Sequence, residues 1–143
     1  MKKLRHQNVL RLFEVIDDPK CNKLYLVLEY LRGGDLYTNE KLNDLQVWNI
    51  ARQVIQGLAY LHMNNVIHGD IKPQNLLRDE DGRVKIADFG ISTIINDNEK
   101  LTDAAGTPAF MCPELCAGKR YDGKMSDIYS LGATLYCLRV SLM

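Results

Sequence analysis

Four residues in two short stretches have side chains suited to one kind of chemistry. Asp70 and Lys72 stand two apart, Asn75 follows, and Asp88 comes thirteen residues after Asn75. On an extended chain, positions two apart point to the same side, which pairs a carboxylate with an ammonium. Such a carboxylate can receive or orient a hydroxyl proton, and the ammonium can meet a transferring phosphate. The amide of Asn75 and the carboxylate of Asp88 are hard oxygen donors of the kind Mg2+ takes. Phosphoryl transfer asks for positioning and cancellation of negative charge more than covalent help. Taken singly, Lys72 reads as well as a solvated surface lysine, and Asp88 as a turn residue.

The elements around them are legible from pattern. Leu76-Leu77-Arg78 and Val84-Lys85-Ile86 flank the turn dipeptide Asp81-Gly82. A hairpin is therefore predicted between the Asn75 and Asp88 segments, and it brings them together. Upstream, Val47, Ile50, Ala51, Val54, Leu58 and Leu61 fall at spacings of three and four, the period of a helix. Asn43 is its expected N-cap, with Gln46 completing a capping box. This stripe, with Trp48 beside it, is read as core packing. Val9 to Ile16 and Leu24 to Leu28 are predicted to form an antiparallel hairpin around the turn Asp17-Asp18-Pro19-Lys20-Cys21-Asn22. Gly33-Gly34 breaks the chain after it. A less regular stretch runs from Ile91 to Gly106. A last helix is expected over Ser126 to Leu138, with Ile128, Leu131, Leu135 and Leu138 on one face.

Composition narrows the class. At 143 residues the chain is one domain at most. With 46% hydrophobic and 25% charged residues it can bury a core and is not a disordered sequence. Lys plus Arg and Asp plus Glu each number 18, and this zero net charge gives no surplus for nucleic acid or an anionic membrane. The basic start, Met1 to His6, has no apolar stretch behind it and is not a secretory signal. Leu24 to Leu31, interrupted by Glu29, is far short of the ~20 residues of a membrane helix. Cys21, Cys112, Cys116 and Cys137 are scattered and are read as reduced thiols of a cytoplasmic protein. Cys112 and Cys116 lie four apart, but nothing near them in sequence completes a zinc set.

The run His68-Gly69-Asp70-Ile71-Lys72-Pro73-Gln74-Asn75 is followed by Asp88-Phe89-Gly90, then Gly106-Thr107-Pro108, then Pro113-Glu114. In this order and spacing the motifs resemble the protein-kinase signature set, and the Lys-Pro pair with Asn75 resembles its Ser/Thr version. The resemblance covers essentially the whole chain. It implies an α+β, protein-kinase-like fold, truncated. Residues 1–28 would be a remnant of the small lobe and 29–34 the hinge. Residues 35–143 would be the first part of the large lobe, through the activation segment and the helix starting near Ser126.

The resemblance also implies ATP and Mg2+ as cofactors. Asp70, Lys72, Asn75 and Thr107 match the catalytic positions, and Asn75 and Asp88 the metal ligands. For the nucleotide, Leu28 matches the gatekeeper, Glu29, Tyr30 and Leu31 the hinge, Asp35 a ribose contact and Leu77 the floor beneath adenine. Asp127 matches a buried aspartate that braces the catalytic loop, and His68, Phe89 and Leu12 an apolar spine. The implied function is ATP-dependent phosphorylation of Ser/Thr hydroxyls in a protein substrate. The stretch Gly106 to Met111, with His68-Gly69-Asp70, looks like the calcium/calmodulin-dependent protein kinase kinases and the plant kinases that activate SNF1-related kinases. That likeness makes another kinase the expected substrate.

The chain departs from the family in three ways. Nothing resembles the Gly-rich phosphate loop or the strand lysine with its glutamate partner, and Lys85 belongs to the second hairpin. Met1 falls where the family's regulatory helix is ending, and the last helix is expected to break at Arg139 to Met143, without the later helices and the arginine that pairs with Glu114. These departures suggest a truncated gene product or an incomplete gene model. They predict an unpaired buried Glu114, exposed apolar faces, and an isolated chain that is inactive or nearly so. The alternative function is accordingly a silent, pseudokinase-like binding module. Third, Gly69 replaces the arginine that usually receives an activation-segment phosphate, and Asp103 stands four residues before Thr107. Activation by phosphorylation there is not required on this reading, and a modified Thr102 would find no charge partner at Gly69.

Overall fold

The structure, a computed structural model, describes residues 3–19, 22–37, 41–96, 99–103 and 105–141. The expectations placed on Met1, Lys20, Cys21, Leu142 and Met143 lie outside them.

The site is built around a small hairpin, β4 (Leu76–Arg78) and β5 (Val84–Ile86), paired Leu76 to Ile86 and Arg78 to Val84. Its apolar residues Leu76, Val84 and Ile86 are buried, and Gly82 in the connecting turn has φ +76°, a left-handed conformation that favours glycine. The hairpin is widened on both edges. Asp35 bridges Leu77 on one side, and Val9 makes a parallel bridge to Ile86 on the other.

That second bridge changes the reading of the first strand. Asn8 accepts from the backbone of Ile86, and Leu10 donates to Ile86 at 2.8 Å. Val9 is thereby held on β5. The strand predicted from Val9 begins instead at Leu12, as β1 (Leu12–Asp18), which pairs antiparallel with β2 (Lys23–Leu28) through a register shift between Leu12 and Glu14. Most of β1 and all of β2 are exposed, including Ile16, Leu24, Tyr25 and Leu26.

Helix α1 (Asp44–Met63) has the expected capping box. Asn43 accepts from the Gln46 amide at 2.9 Å, and the Gln46 side chain accepts from the Asn43 amide at 2.9 Å. Ile50, Val54, Leu58 and Leu61 are buried in the main core, with Ile71, Leu76, Ile86, Leu131 and Leu138. Trp48 is not core: it is 59% exposed and packs under the Arg52 guanidinium. One residue on from Val47, it lies about 100° around the helix from the buried stripe.

Two further strands, β3 (Val66–Ile67) and β6 (Thr93–Ile94), pair antiparallel, so the stretch after Ile91 is less irregular than its sequence suggests. The short helix α2 (Pro113–Cys116) precedes α3 (Gly123–Val140). Helix α3 starts three residues before the predicted Ser126 because Asp122 caps it, accepting from the amides of Lys124 and Met125. It also continues through Arg139 and Val140 before Ser141 closes it in a left-handed conformation. Its predicted face is buried except at one end: Leu131 and Leu138 are buried and Leu135 packs against the core, but Ile128 is 45% exposed. Ser126, Asp127, Ser130 and Thr134 are buried as well. Glu114 is exposed, so the expected cost of an unpaired buried glutamate does not arise.

Candidate active site

The segment 68–75 leaves β3 and reaches β4 through a single turn of 3-10 helix, Pro73–Asn75. Lys72 precedes that turn in an extended conformation, φ −157° and ψ 164°. Its side chain therefore lies on the side of Asp70, and Lys72 Nζ sits 2.6 Å from Asp70 Oδ2. Asn75 Nδ2 donates to the same oxygen at 3.0 Å and to the Asp70 carbonyl at 2.8 Å. The other oxygen, Oδ1, accepts from the Thr107 hydroxyl at 2.7 Å and the Thr107 amide at 3.0 Å. Lys72 Nζ also donates to Thr107 Oγ1 at 2.7 Å. One carboxylate thus gathers donors from Lys72, Asn75 and Thr107.

Burial is the largest single influence on the Asp70 carboxyl and pushes its pKa up. The hydrogen bonds from Lys72, Thr107 and Asn75, with the charge of Lys72, together outweigh it and hold the pKa below the ordinary carboxylate value.

The loop carrying Asp70 is held from beneath by α3. Asp127 accepts from the His68 amide at 3.0 Å and the Gly69 amide at 2.9 Å, and meets His62 Nε2 at 2.8 Å. Ser130 donates to the Phe110 carbonyl at 2.7 Å, and Thr134 to the Ile71 carbonyl at 3.2 Å. His68 donates from Nε2 to the Ala87 carbonyl at 2.8 Å and accepts at Nδ1 from the Asp70 amide at 3.2 Å. Those two bonds require the neutral ring, and burial accordingly lowers the His68 pKa despite the nearby carboxylates. His68 and Phe89 meet edge to face at 5.1 Å, while Leu12 is buried outside the main core cluster.

The hairpin places the Asp88 segment beside Asn75: the Ala87 amide donates to the Asn75 carbonyl at 2.8 Å. Asp88 is exposed and left-handed, φ +59°, with Oδ1 accepting from the Gly90 amide. Asn75 is buried, and with Nδ2 committed to Asp70 its Oδ1 remains as an acceptor. This donor set fits Mg2+, which takes one or two protein oxygens and completes its shell with phosphate and water.

Of the expected nucleotide residues, Leu31, Leu77 and Asp35 lie together. Leu31, Leu10 and Ala87 make an apolar cluster against which Leu77 packs, and Asp35 lies beside Leu77 through their bridge. Leu28 ends β2, paired with Leu12 and 40% exposed. The side chain of Glu29 is turned to Lys85 at 2.8 Å, and its amide donates to Arg11 at 2.9 Å. Tyr30 is 83% exposed. Lys85, set aside in the sequence as a hairpin residue, ties β5 to the segment after β2.

Residues 1–142 match the family model described as the protein kinase domain. The chain is 46% identical over 143 residues to the serine/threonine-protein kinase GRIK1 of Arabidopsis thaliana, covering 96% of this chain and 36% of that protein. It is 46% identical to a calcium/calmodulin-dependent protein kinase kinase of Caenorhabditis elegans, over 95% of this chain and 26% of that protein. It is also 46% identical to the serine/threonine-protein kinase ssp1 of Schizosaccharomyces pombe, over 96% of this chain and 24% of that protein. The chain thus spans about a third or less of the curated relatives it matches. Matched over nearly its whole length, it belongs to the protein kinase domain family, on the Ser/Thr side.

Proposed function

We propose that this chain carries the phosphoryl-transfer half of a Ser/Thr protein kinase that moves the γ-phosphoryl group of ATP to a protein hydroxyl. The observation that carries the proposal is the convergence of Lys72, Asn75 and Thr107 on the Asp70 carboxylate. That carboxylate has about four acceptor sites, and four donor groups occupy them here. A substrate hydroxyl must therefore displace one donor. Lys72, at the end of the longest flexible stem, is the donor to move, and its charge then serves the transferring phosphate. Asp70 takes the hydroxyl proton, and Thr107 and Asn75 keep it aimed. Asn75 and Asp88 would hold Mg2+, which would supply positive charge against the phosphates when bound. Leu77, Leu31 and Leu28 would face adenine, with Asp35 at the ribose and Glu29 at the hinge backbone.

A protein substrate that is itself a kinase is supported by the likeness to a calcium/calmodulin-dependent protein kinase kinase. The second reading, a silent binding module, draws on the two-sided exposure of β1 and β2, which suits contact with a partner. Phosphate transfer from ³²P-labelled ATP to a generic protein substrate separates the two. Wild-type transfer lost in Asp70→Asn supports the enzyme. Equal silence of both proteins, with a partner co-purifying, supports the module. Thermal shift with Mg·ATP tests nucleotide binding directly: about 2.7 kcal/mol of added stability is expected at 100 times the dissociation constant.

A further inference from the structure

The chain from Leu4 to Arg11 borders a cavity of about 250 Å³ whose charge is one-sided. Arg5, His6, Arg11, Glu29 and Lys85 line it. Glu29 is the one carboxylate among them, and both of its oxygens are engaged. Lys85 Nζ lies 2.8 Å from Oε1, and the Arg11 amide donates to Oε2 at 3.2 Å. Three cations against one carboxylate leave two positive charges at the cavity, in a chain whose formal net charge is zero. With Lys85 committed to Glu29, those two charges belong to Arg5 and Arg11. The Arg11 guanidinium lies 5.0 Å from the centre of the Phe13 ring, a stack that orients it and spares its N–H donors. Among the described residues, neither guanidinium meets an acceptor.

His6 adds a donor of fixed identity. Its Nδ1 accepts from the Asn8 amide at 3.1 Å, so the neutral ring carries its hydrogen on Nε2. The ring is held by a stack on Tyr60, with centroids 5.0 Å apart. Tyr60 is tied to the same segment, since its hydroxyl accepts from the Arg5 amide at 2.8 Å. Among the described residues, no acceptor meets Nε2. Solvated surface arginines alone would make no site. Here two uncommitted guanidinium groups and an imidazole N–H of set tautomer border one cavity.

We infer that this cavity binds a small anion bearing a phosphate group, through Arg5, Arg11 and Nε2 of His6. Phosphate oxygens accept charge-assisted, frequently bidentate hydrogen bonds from guanidinium groups. Two positive charges balance the nearly two negative charges of a phosphate monoester at neutral pH. Size sets the class of ligand. Pockets for drug-sized molecules begin at roughly 300 Å³, so this one takes inorganic phosphate or a short monoester. Leu4 and Val9 give a few carbons of such an ester an apolar wall. A bound phosphate ties Arg5 to Arg11 across the segment whose Asn8 and Leu10 pair with Ile86 of β5. The inference rests on the cavity and its charges, and holds whether or not this chain transfers phosphate itself.

The test uses the full-length protein with ¹⁵N-labelled histidine. Inorganic phosphate and glycerol 3-phosphate are titrated separately at fixed pH and ionic strength, and the His6 Nε2 resonance is followed by NMR. His6→Gln identifies that resonance by its loss. A saturable shift is expected. Arg5→Gln and Arg11→Gln should each weaken binding about tenfold, the effect of one charge-assisted hydrogen bond. Both arginines are exposed, so neither substitution should disturb the fold, and Arg5→Lys should recover part of the affinity. Lys72→Met removes the cation beside Asp70 and should leave the dissociation constant unchanged, which separates this cavity from the candidate active site. Tighter binding of glycerol 3-phosphate assigns the site to a phosphate ester, and tighter binding of inorganic phosphate to the free anion. A shift that never saturates, a shift that chloride reproduces at equal ionic strength, or affinity undiminished in Arg5→Gln or in Arg11→Gln would overturn the inference.

Discussion

Asp127 takes the backbone amide of His68 on one carboxylate oxygen at 3.0 Å and that of Gly69 on the other at 2.9 Å. A helix side chain thus fixes the two peptide groups immediately before Asp70. Asp127 is 1% exposed, and His62 is its third partner. Removing the carboxylate leaves buried N–H groups without acceptors, at about 1–3 kcal/mol each. Asp127→Ala is expected to lose about 3 kcal/mol or more of unfolding free energy in urea. Asp127→Asn should lose less stability, because one oxygen remains. A loss below about 0.5 kcal/mol for Asp127→Ala would mean that the loop holds its shape without the brace.

Thr107 tests the aim of Asp70 apart from its charge. The hydroxyl touches both Asp70 and Lys72, while its amide reaches Asp70 independently. Thr107→Val keeps the shape and the amide contact but removes the hydroxyl. Transfer by the full-length protein should fall by about tenfold to a hundredfold in kcat, with KM for ATP little changed. Thr107→Ser should recover most of the rate. A rise in KM at constant kcat would place Thr107 in ground-state binding instead.

Much of the candidate site is legible in the sequence, for a physical reason. The hairpin joining Asn75 to Asp88 is local, and its turn chemistry at Asp81-Gly82 is strong. The two-residue step from Asp70 to Lys72 fixes a shared side in an extended chain. The capping box at Asn43 and Gln46 is likewise set within four residues. What stayed hidden was non-local. The split of Val9 from β1 depends on Ile86, almost eighty residues away. Ser130 and Thr134 join Asp127, which the family resemblance had already named, in a buried polar stripe on α3, because each meets a backbone group of another segment. Hydrophobic periodicity selects Ile128, which is exposed, and passes over the polar positions. Polar residues repeating at helical spacing opposite a polar loop were the signal that could have found them. His62 carried no signal of its own, since its meaning depends on Asp127.

The depressed pKa of Asp70 sets a pH dependence with a definite sign. The carboxylate form is favoured in the folded state, so its stabilisation is present above the unfolded pKa, about 3.9. It is lost as pH falls through the lower folded value. The acid limb of kcat/KM for the full-length protein should therefore lie below the ordinary carboxylate range. Lys72→Met removes one hydrogen bond and the nearby positive charge, and should move that limb to higher pH. A limb that stays in place in Lys72→Met would show that another group sets it.

His68 gives a second dependence, in a different window. Its folded pKa is lowered, so the unfolded chain binds a proton that the native ring refuses. Stability should be full above the unfolded value of about 6.5 and decline as pH falls below it, until the folded pKa is reached. Protonation would put a hydrogen on Nδ1, where the Asp70 amide now donates, so the lost bond lies directly at the loop that carries Asp70. His68→Phe removes the titrating ring and should flatten the stability profile below about pH 6.5. It also leaves the Ala87 carbonyl and the Asp70 amide without their side-chain partner, so its stability at pH 7.5 should be lower than that of the wild type. Urea unfolding at closely spaced pH values separates the two effects, because the profile changes slope while the pH 7.5 value changes level. A slope equal to the wild type's in His68→Phe would assign the acid sensitivity to other groups.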